Sequence, residues 1–240
     1  MGCVTDNSLD PLERMTITDE WEKLQSGCAP LDDLIGGGFE HGIITEVYGE
    51  AGSGKTNLAI QLAIACAKQG KKTIFIDTEG FSPERFRQVA GKDAGELAKT
   101  IIIYEPTDFQ SQYTAICDCE KIMDQEIALI ILDSPVIFYR QMVSEEESIV
   151  FRRQLASQLS TLHTLTRRYK VVALITNQVY TDVETDHLKP LGGNPLEHIP
   201  KTILQFEKIG PQRRRATLKK HRFRPEGISC EFLITHEGLR

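Results

Sequence analysis

Gly49-Glu50-Ala51-Gly52-Ser53-Gly54-Lys55-Thr56 is a glycine-rich stretch between an apolar run, residues 43–48, and a run typical of a helix, residues 57–68. It fits the pattern G-x-x-x-x-G-K-[ST], in which backbone N–H groups surround phosphate oxygens at a helix N-terminus. In this pattern Lys55 reaches the β- and γ-phosphates, and the Thr56 hydroxyl helps to hold Mg²⁺. The alternative is a glycine-rich turn with an exposed lysine. Because strand, loop and helix follow one another in register, the stretch predicts a site for a nucleoside triphosphate.

Strand-like and helix-like segments alternate on both sides of this loop. The predicted strands are 43–48, 73–77, 101–104, 127–132 and 171–176, and the predicted helices are 57–68, 83–90 with Ser82 as N-cap, 109–124 and 146–168. After Gln178 no long helix follows, and 202–209, 216–223 and 230–235 are predicted as short strands. The pattern predicts an α/β fold, with a mostly parallel sheet that is flanked by helices and extended by antiparallel C-terminal strands.

The composition is typical of a globular protein without a membrane span. Hydrophobic residues make up 40% of the 240 residues, and no apolar run approaches the roughly 20 residues that cross a bilayer. Six cysteines are scattered without paired C-x-x-C spacing, and the first residues lack the apolar stretch of a signal peptide. We therefore expect a cytoplasmic protein with reduced thiols and no membrane partner.

Three polar residues lie at or just beyond the ends of apolar strands, namely Glu79, Asp133 and Gln178. Parallel strands deliver their carboxyl ends to one crevice. Asp133 is therefore predicted as a Mg²⁺ ligand, Glu79 as a general base and Gln178 as a sensor of the γ-phosphate. The alternatives are, in turn, a cap of the strand end, an acid at a helix N-terminus and a solvated glutamine in a turn.

A basic strip, residues 208–224, carries eight lysines or arginines and no acid, although the net charge of the chain is −6. The strip predicts phosphate contacts to DNA, from Arg213, Arg214 and Arg215 in a predicted turn and from Lys219, Lys220, Arg222 and Arg224 along a predicted strand. One alternative is a set of charges that guards a sheet edge. Another is that Lys219, Lys220 or Arg222 reaches the nucleotide of a neighbouring subunit.

Several segments together resemble the RecA/RadA recombinase family. They are the phosphate-binding loop, LDDLIGGG (31–38), DTEGFSPER (77–85), LDS (132–134), ITNQV (175–179) and KPLGGN (189–194). The resemblance implies a RecA-like P-loop NTPase core over residues 21–240, preceded by an N-terminal arm, residues 1–20, with ATP and Mg²⁺ as cofactors. It also implies a catalytic role for Glu79, a Walker B role for Asp133, a γ-phosphate-sensing role for Gln178 and stacking of Arg85 on adenine.

The resemblance further implies DNA as a partner, bound by the segments after Asp133 and Gln178. Here these segments are acidic, with Glu145, Glu146 and Glu147 in the first and Asp182, Glu184 and Asp186 in the second, which opposes a phosphate backbone. No phenylalanine precedes Phe39 to form the family's subunit anchor, so stable filaments are not expected.

We therefore expect an ATP-binding, DNA-binding accessory protein of DNA repair and homologous recombination, with weak or no ATP hydrolysis and no strand exchange. RadA recombinase and other repair proteins are the expected protein partners, and homo-oligomerisation stays open. Two alternatives remain. The first is an active DNA-dependent recombinase ATPase, because all predicted hydrolysis residues are present. The second is a KaiC-like signalling ATPase, which shares the triple glycine 36–38.

Overall fold

A nine-stranded sheet organises the computed structural model, which describes residues 23–138, 145–181 and 188–240. The strands are β1 (Lys23–Leu24), β2 (Phe39–Glu40), β3 (Ile44–Gly49), β4 (Lys72–Asp77), β5 (Ile101–Tyr104), β6 (Ile127–Asp133), β7 (Val172–Asn177), β8 (Val179–Thr181), β9 (Leu188–Pro190), β10 (Thr202–Lys208), β11 (Arg213–Lys220), β12 (Ser229–Thr235) and β13 (Gly238–Leu239). The helices are α1 (Ala29–Leu34), α2 (Lys55–Lys68), α3 (Pro83–Ala90), α4 (Ala94–Ala98), α5 (Phe109–Ile122), α6 (Glu145–Tyr169) and α7 (Asn194–His198). The predicted arm 1–20 and the acids Asp182, Glu184 and Asp186 lie outside the described residues.

The strands of the large sheet run in the order β13-β12-β11-β10-β3-β7-β6-β4-β5. The six strands from β10 to β5 are parallel, and β11, β12 and β13 extend the sheet antiparallel to one another. The predicted fold class is confirmed. One detail differs, because the segment predicted as the first antiparallel strand forms β10, which is parallel to β3 and antiparallel only to β11. The loop after β3 therefore starts inside the sheet, with β10 and β7 as its neighbours.

The parallel strands are apolar throughout because helices cover both faces of the sheet. On β6, Leu129 packs on the face covered by α2, whereas Ile130 packs on the face covered by α5 and α6. Helix α2 is itself enclosed, since Leu58 contacts the sheet and Ile60 contacts α3 and α4. This burial fixes the helix that follows the phosphate-binding loop. Among the described residues, no helix combines the length and the hydropathy needed to cross a membrane.

Strand β11 corrects the sequence analysis of the basic strip. It begins at Arg213, so the prediction of a turn over 213–215 is wrong, and residues 221–223 lie beyond the strand. Alternate residues of β11 are buried, beginning with Arg214 and continuing through Ala216 and Leu218. The period of two was hidden because its first inward-facing residue is charged. In contrast, Ser82 caps α3 as predicted, with its Oγ accepting from the backbone N–H of Arg85 at 3.1 Å.

Candidate functional site

The phosphate-binding loop joins the end of β3 to the start of α2. Gly52 and Gly54 have φ angles of +72° and +109°, a region that glycine adopts without strain. The backbone N–H of Ser53 donates to the carbonyl of Glu50 at 3.1 Å and tightens the loop. Lys55 opens α2, two residues earlier than the helix predicted from the sequence. The strand, turn and helix thus form the arrangement that binds phosphate in other proteins.

Lys55 folds back over this loop. Its Nζ donates to the carbonyls of Gly49 at 2.9 Å and Glu50 at 3.0 Å, and the residue is only 6% exposed. A buried ammonium group held at the loop is suited to meet polyphosphate oxygens through charge-assisted hydrogen bonds.

Asp133 ends β6 beside α2. Its Oδ1 accepts from the Thr176 hydroxyl on β7, whereas its Oδ2 is buried and has no hydrogen-bond partner among the described residues. Burial raises the pKa of the Asp133 carboxyl to about 6, and the Thr176 and Thr56 hydroxyls act in the opposite direction. An unpartnered buried carboxylate oxygen close to a threonine hydroxyl fits a Mg²⁺ site, because Mg²⁺ typically takes one or two carboxylates and completes its shell with phosphates and water. Within the described part of the chain, no three acidic, histidine or cysteine side chains cluster as a complete metal site.

Glu79 follows β4 and Gln178 follows β7, and their side chains are in contact. The Gln178 Nε2 donates to the Glu79 Oε1 at 2.7 Å. Asp77, which the sequence analysis did not single out, shapes the turn before Glu79, because its Oδ1 accepts from the backbone N–H groups of Glu79 at 3.2 Å and Gly80 at 2.9 Å. An aspartate at the end of a strand, followed three residues later by a glycine, is typical of such an Asx turn. The signal was therefore present in the sequence.

These residues surround one cavity of about 240 Å³ at the carboxyl edge of the sheet. Its lining comprises Gly49, Glu50, Ala51, Gly52, Gly54, Lys55, Thr56, Asn57, Glu79, Gln178 and Val179. The cavity brings together the predicted loop and the predicted residues Glu79 and Gln178. Asp133 lies behind it, beside Thr56.

Arg85 lies at the start of α3 and bridges three parts of the chain. Its Nη1 and Nη2 donate to the carbonyls of His236 at 3.0 Å and Thr235 at 2.8 Å, and its Nε donates to the Asn57 Oδ1. Asn57 lines the cavity, so the guanidinium plane is held fixed next to it. Stacking of Arg85 on an adenine ring remains a prediction, and Asn57 is a neighbour that the sequence analysis missed.

The basic strip is divided by the alternation of β11. Arg213 and Arg215 face one side and both pair with Glu231 on β12. The Nζ of Lys220 donates to the carbonyl of Glu197 at 2.8 Å, and Arg222 pairs with the buried Glu40. Lys219 and Arg224 are exposed. The seven predicted DNA contacts therefore differ in their exposure and in their partners, and contact with DNA stays a prediction.

Arg214 points the other way, into the fold. It is 8% exposed, and its Nε and Nη2 donate to the carbonyl of Gly52 at 3.2 and 3.0 Å. Its Nη1 donates to the carbonyls of Gly210 at 3.0 Å and Arg213 at 2.9 Å. The prediction that Arg214 lies on an exposed DNA-contact surface is wrong, because its donors brace the phosphate-binding loop from behind.

Arg214→Ala should therefore weaken binding of Mg·ATP by about tenfold, since removing one buried charged partner frees the Gly52 carbonyl and loosens the loop. Arg215→Ala is the matched control. It removes the same charge from the next residue of β11, where the side chain forms only a surface ion pair, and should change affinity by less than about twofold. Titration calorimetry checks both variants. Equal effects of the two would contradict the bracing role.

Glu46 on β3 is a further buried acid that the sequence analysis missed. It is 1% exposed and its Oε1 accepts from the Asn177 Nδ2 at 2.8 Å. Burial raises the pKa of the Glu46 carboxyl to about 8, against the lowering effects of Asn177 and Lys220. The folded protein therefore keeps a proton that the unfolded chain releases above pH 4.5, the ordinary pKa of the group.

This difference makes the Glu46 contribution to stability largest below pH 4.5 and progressively smaller up to pH 8. Glu46→Gln removes the titration but keeps the shape. When the pH is raised from 5 to 8, the free energy of unfolding of the wild type should fall by on the order of 3 kcal/mol more than that of Glu46→Gln. Urea unfolding at both pH values measures this change, and a difference that is independent of pH would contradict the protonated state.

Comparisons with known proteins extend over nearly the whole chain. The Rad51 family model matches residues 18–240. The DNA repair and recombination protein RadB of Methanococcoides burtonii is 54% identical over 220 residues, covering 91% of this chain and 98% of that protein. The protein of the same name from Methanoculleus marisnigri is 42% identical over 222 residues, with coverages of 91% and 98%. A crystal structure of a RadB recombinase superposes with a TM-score of 0.79 at 37% identity and covers 90% of this chain and 98% of that one.

Proposed function

This chain belongs to the Rad51 family, and we propose that it is a cytoplasmic accessory protein of DNA repair and homologous recombination that binds Mg·ATP and DNA. Its hydrolysis of ATP is weak or absent, and it does not catalyse strand exchange. One observation carries the nucleotide part of the proposal, namely the convergence of the phosphate-binding loop, Glu79 and Gln178 around one cavity with Asp133 behind it. The relatives named as DNA repair and recombination proteins support the repair setting.

Different residues in and behind the cavity would contact different parts of a bound nucleotide. Lys55 and the loop backbone would bind the phosphates, and Thr56 and Asp133 would hold Mg²⁺. When bound, the metal would neutralise charge on the phosphate oxygens. Gln178 donates one amide hydrogen to Glu79 and keeps a second for the γ-phosphate. A contact of Gln178 with the γ-phosphate would thus act directly on the position of Glu79, the proposed base, through their hydrogen bond.

The acidic start of α6, Glu145 to Glu147, supports the accessory role, because negative charge close to a DNA-binding segment weakens contact with the DNA backbone. The second candidate function is an active DNA-stimulated ATPase, which is favoured by the contact between Glu79 and Gln178. Membership of the Rad51 family argues against a KaiC-like signalling ATPase. ATP turnover measured with and without single-stranded DNA decides between the accessory role and the DNA-stimulated ATPase. We expect little turnover in either condition, and strong stimulation by DNA would overturn the accessory role.

DNA contact is proposed for the exposed cations of the basic strip, above all Lys219 and Arg224. The double variant Lys219→Ala, Arg224→Ala should weaken binding of fluorescent single-stranded DNA and reduce the salt dependence by about two phosphate contacts. Lys68→Ala combined with Lys92→Ala is the control, since it removes the same charge from exposed positions outside the basic strip. Fluorescence anisotropy over a salt series gives both quantities. An unchanged slope in the double variant would remove the strip from the DNA surface. RadA recombinase remains the proposed protein partner of this chain, and self-association is the alternative.

A further inference from the structure

Glu46 occupies an unusual place for a carboxyl group. It lies in β3, three residues before the phosphate-binding loop, between β10 and β7, where its register partners are Ile203 and Ile175. A buried acid in an apolar parallel sheet has a desolvation cost that an aliphatic side chain would avoid. The roles proposed for the cavity residues do not use Glu46. Among the described residues, its carboxyl group accepts one hydrogen bond, from the amide of Asn177, the residue directly before Gln178.

Asn177 extends this contact to the segment on the other side of Gln178. Its Nδ2 donates to the Glu46 Oε1 at 2.8 Å and to the carbonyl of Leu191 at 2.9 Å. The backbone N–H of Leu191 donates to the carbonyl of Gln178, also at 2.9 Å. Both hydrogens of the Asn177 amide are therefore in use. They join β3, the end of β7 and Leu191 at the point where the chain leaves β9.

We propose that Glu46 is a positioning residue for γ-phosphate recognition, which holds Gln178 in place through Asn177. The proposal rests on the proposed function, in that the cavity takes Mg·ATP. Glu46 needs only a neutral acceptor oxygen for this task, and burial raises the pKa of its carboxyl to about 8, so the group is protonated at neutral pH. The same β3 strand thus carries the phosphate-binding loop at its end and fixes the γ-phosphate sensor from its interior.

The test compares affinities for Mg·ATP and Mg·ADP in the wild type, Glu46→Gln and Glu46→Leu. The wild type should prefer ATP, and Glu46→Gln should keep this preference because its amide oxygen still accepts from Asn177. Glu46→Leu should reduce the ATP:ADP affinity ratio by about tenfold, with ADP affinity nearly unchanged, since one buried hydrogen bond is lost. Thr166→Val is the matched control for loss of a buried polar group, because the Thr166 hydroxyl donates only within α6, to the Leu162 carbonyl at 2.7 Å.

Asn177→Ser provides a second route, since it removes the amide that joins Glu46 to Leu191. It should reproduce the reduced ratio, and combination with Glu46→Leu should add little, as expected for residues in one network. It also carries the test if Glu46→Leu fails to fold. An unchanged ratio in both variants, or an equal loss in Glu46→Gln, would overturn the positioning role while leaving nucleotide binding intact. A wild type that binds ATP and ADP equally would do the same. No nucleotide binding by the wild type would overturn the proposed function and this inference together.

Discussion

Lys55→Ala is expected to weaken binding of Mg·ATP by at least about a hundredfold, because charge-assisted hydrogen bonds contribute about 1.5–3 kcal/mol each. Lys55 is buried at the start of α2, and its Nζ already lies against the carbonyls of Gly49 and Glu50. Alanine cannot supply a cation there, and the nearest part of the loop would meet the phosphates with backbone groups alone. Titration calorimetry of both proteins gives the two dissociation constants.

Lys68→Ala is the control for this change, since Lys68 ends the same helix and is remote from the loop. It should leave the dissociation constant within about twofold of the wild type, as expected for a distant surface charge. Binding of Mg·ATP to Lys55→Ala with wild-type affinity would mean that the cavity is not the nucleotide site.

Gly49→Ala should destabilise the fold by about 3 kcal/mol or more, as overpacking against backbone does. A Cβ on Gly49 would lie 2.2 Å from the carbonyl oxygen of Phe206 and 2.9 Å from the Ser53 Oγ. Phe206 is the register partner of Gly49 in β10, so the clash can be relieved only by displacing a central strand. The free energy of unfolding from urea denaturation measures the loss.

Gly95→Ala provides the matched control, because a Cβ there meets no heavy atom within 4 Å in the described structure. Gly95 lies in α4, where alanine should stabilise the fold by about 0.5–1 kcal/mol. If both variants unfold at the wild-type urea concentration, the close approach of β10 to the loop is not present in solution.

The site residues that were predicted from the sequence share one property, since the position of each follows from the strands and helices next to it in the chain. The loop lies between a strand and a helix, and Glu79, Asp133 and Gln178 each follow an apolar strand. Since parallel strands share a carboxyl edge, the sequence alone was enough to gather them there. The contact between Glu79 and Gln178 fits that reasoning.

The residues that sequence analysis missed depend on contacts between distant parts of the chain. Arg214 reaches Gly52 across 162 residues, and Asn177 reaches Glu46 across 131. Neither contact follows from periodicity or motif spacing, because each is decided by which strands become neighbours. Arg214 was moreover assigned to the surface by its charge, whereas the position of its strand turns it inward. Buried charged and polar residues are therefore where the sequence was least informative.

The C-terminal strands add a second example. Gln61 of α2 donates to the carbonyl of Leu239 at 3.3 Å and accepts from its N–H at 2.6 Å, and Arg85 binds the carbonyls that precede β13. A Cβ on Gly54 would lie 3.0 Å from the Ile234 Cδ1. The last strands thus support α2 and the phosphate-binding loop, although they lie far from both in the sequence.

The most direct measurement is a calorimetric titration of the folded wild-type protein with ATP, in the presence and absence of Mg²⁺. We predict saturable binding at one site per chain with Mg²⁺, weaker binding without the metal, and loss of the signal in Lys55→Ala. A folded protein that takes up neither adenine nor guanine nucleotides in the presence of Mg²⁺ would contradict the assignment of the cavity between the phosphate-binding loop, Glu79 and Gln178.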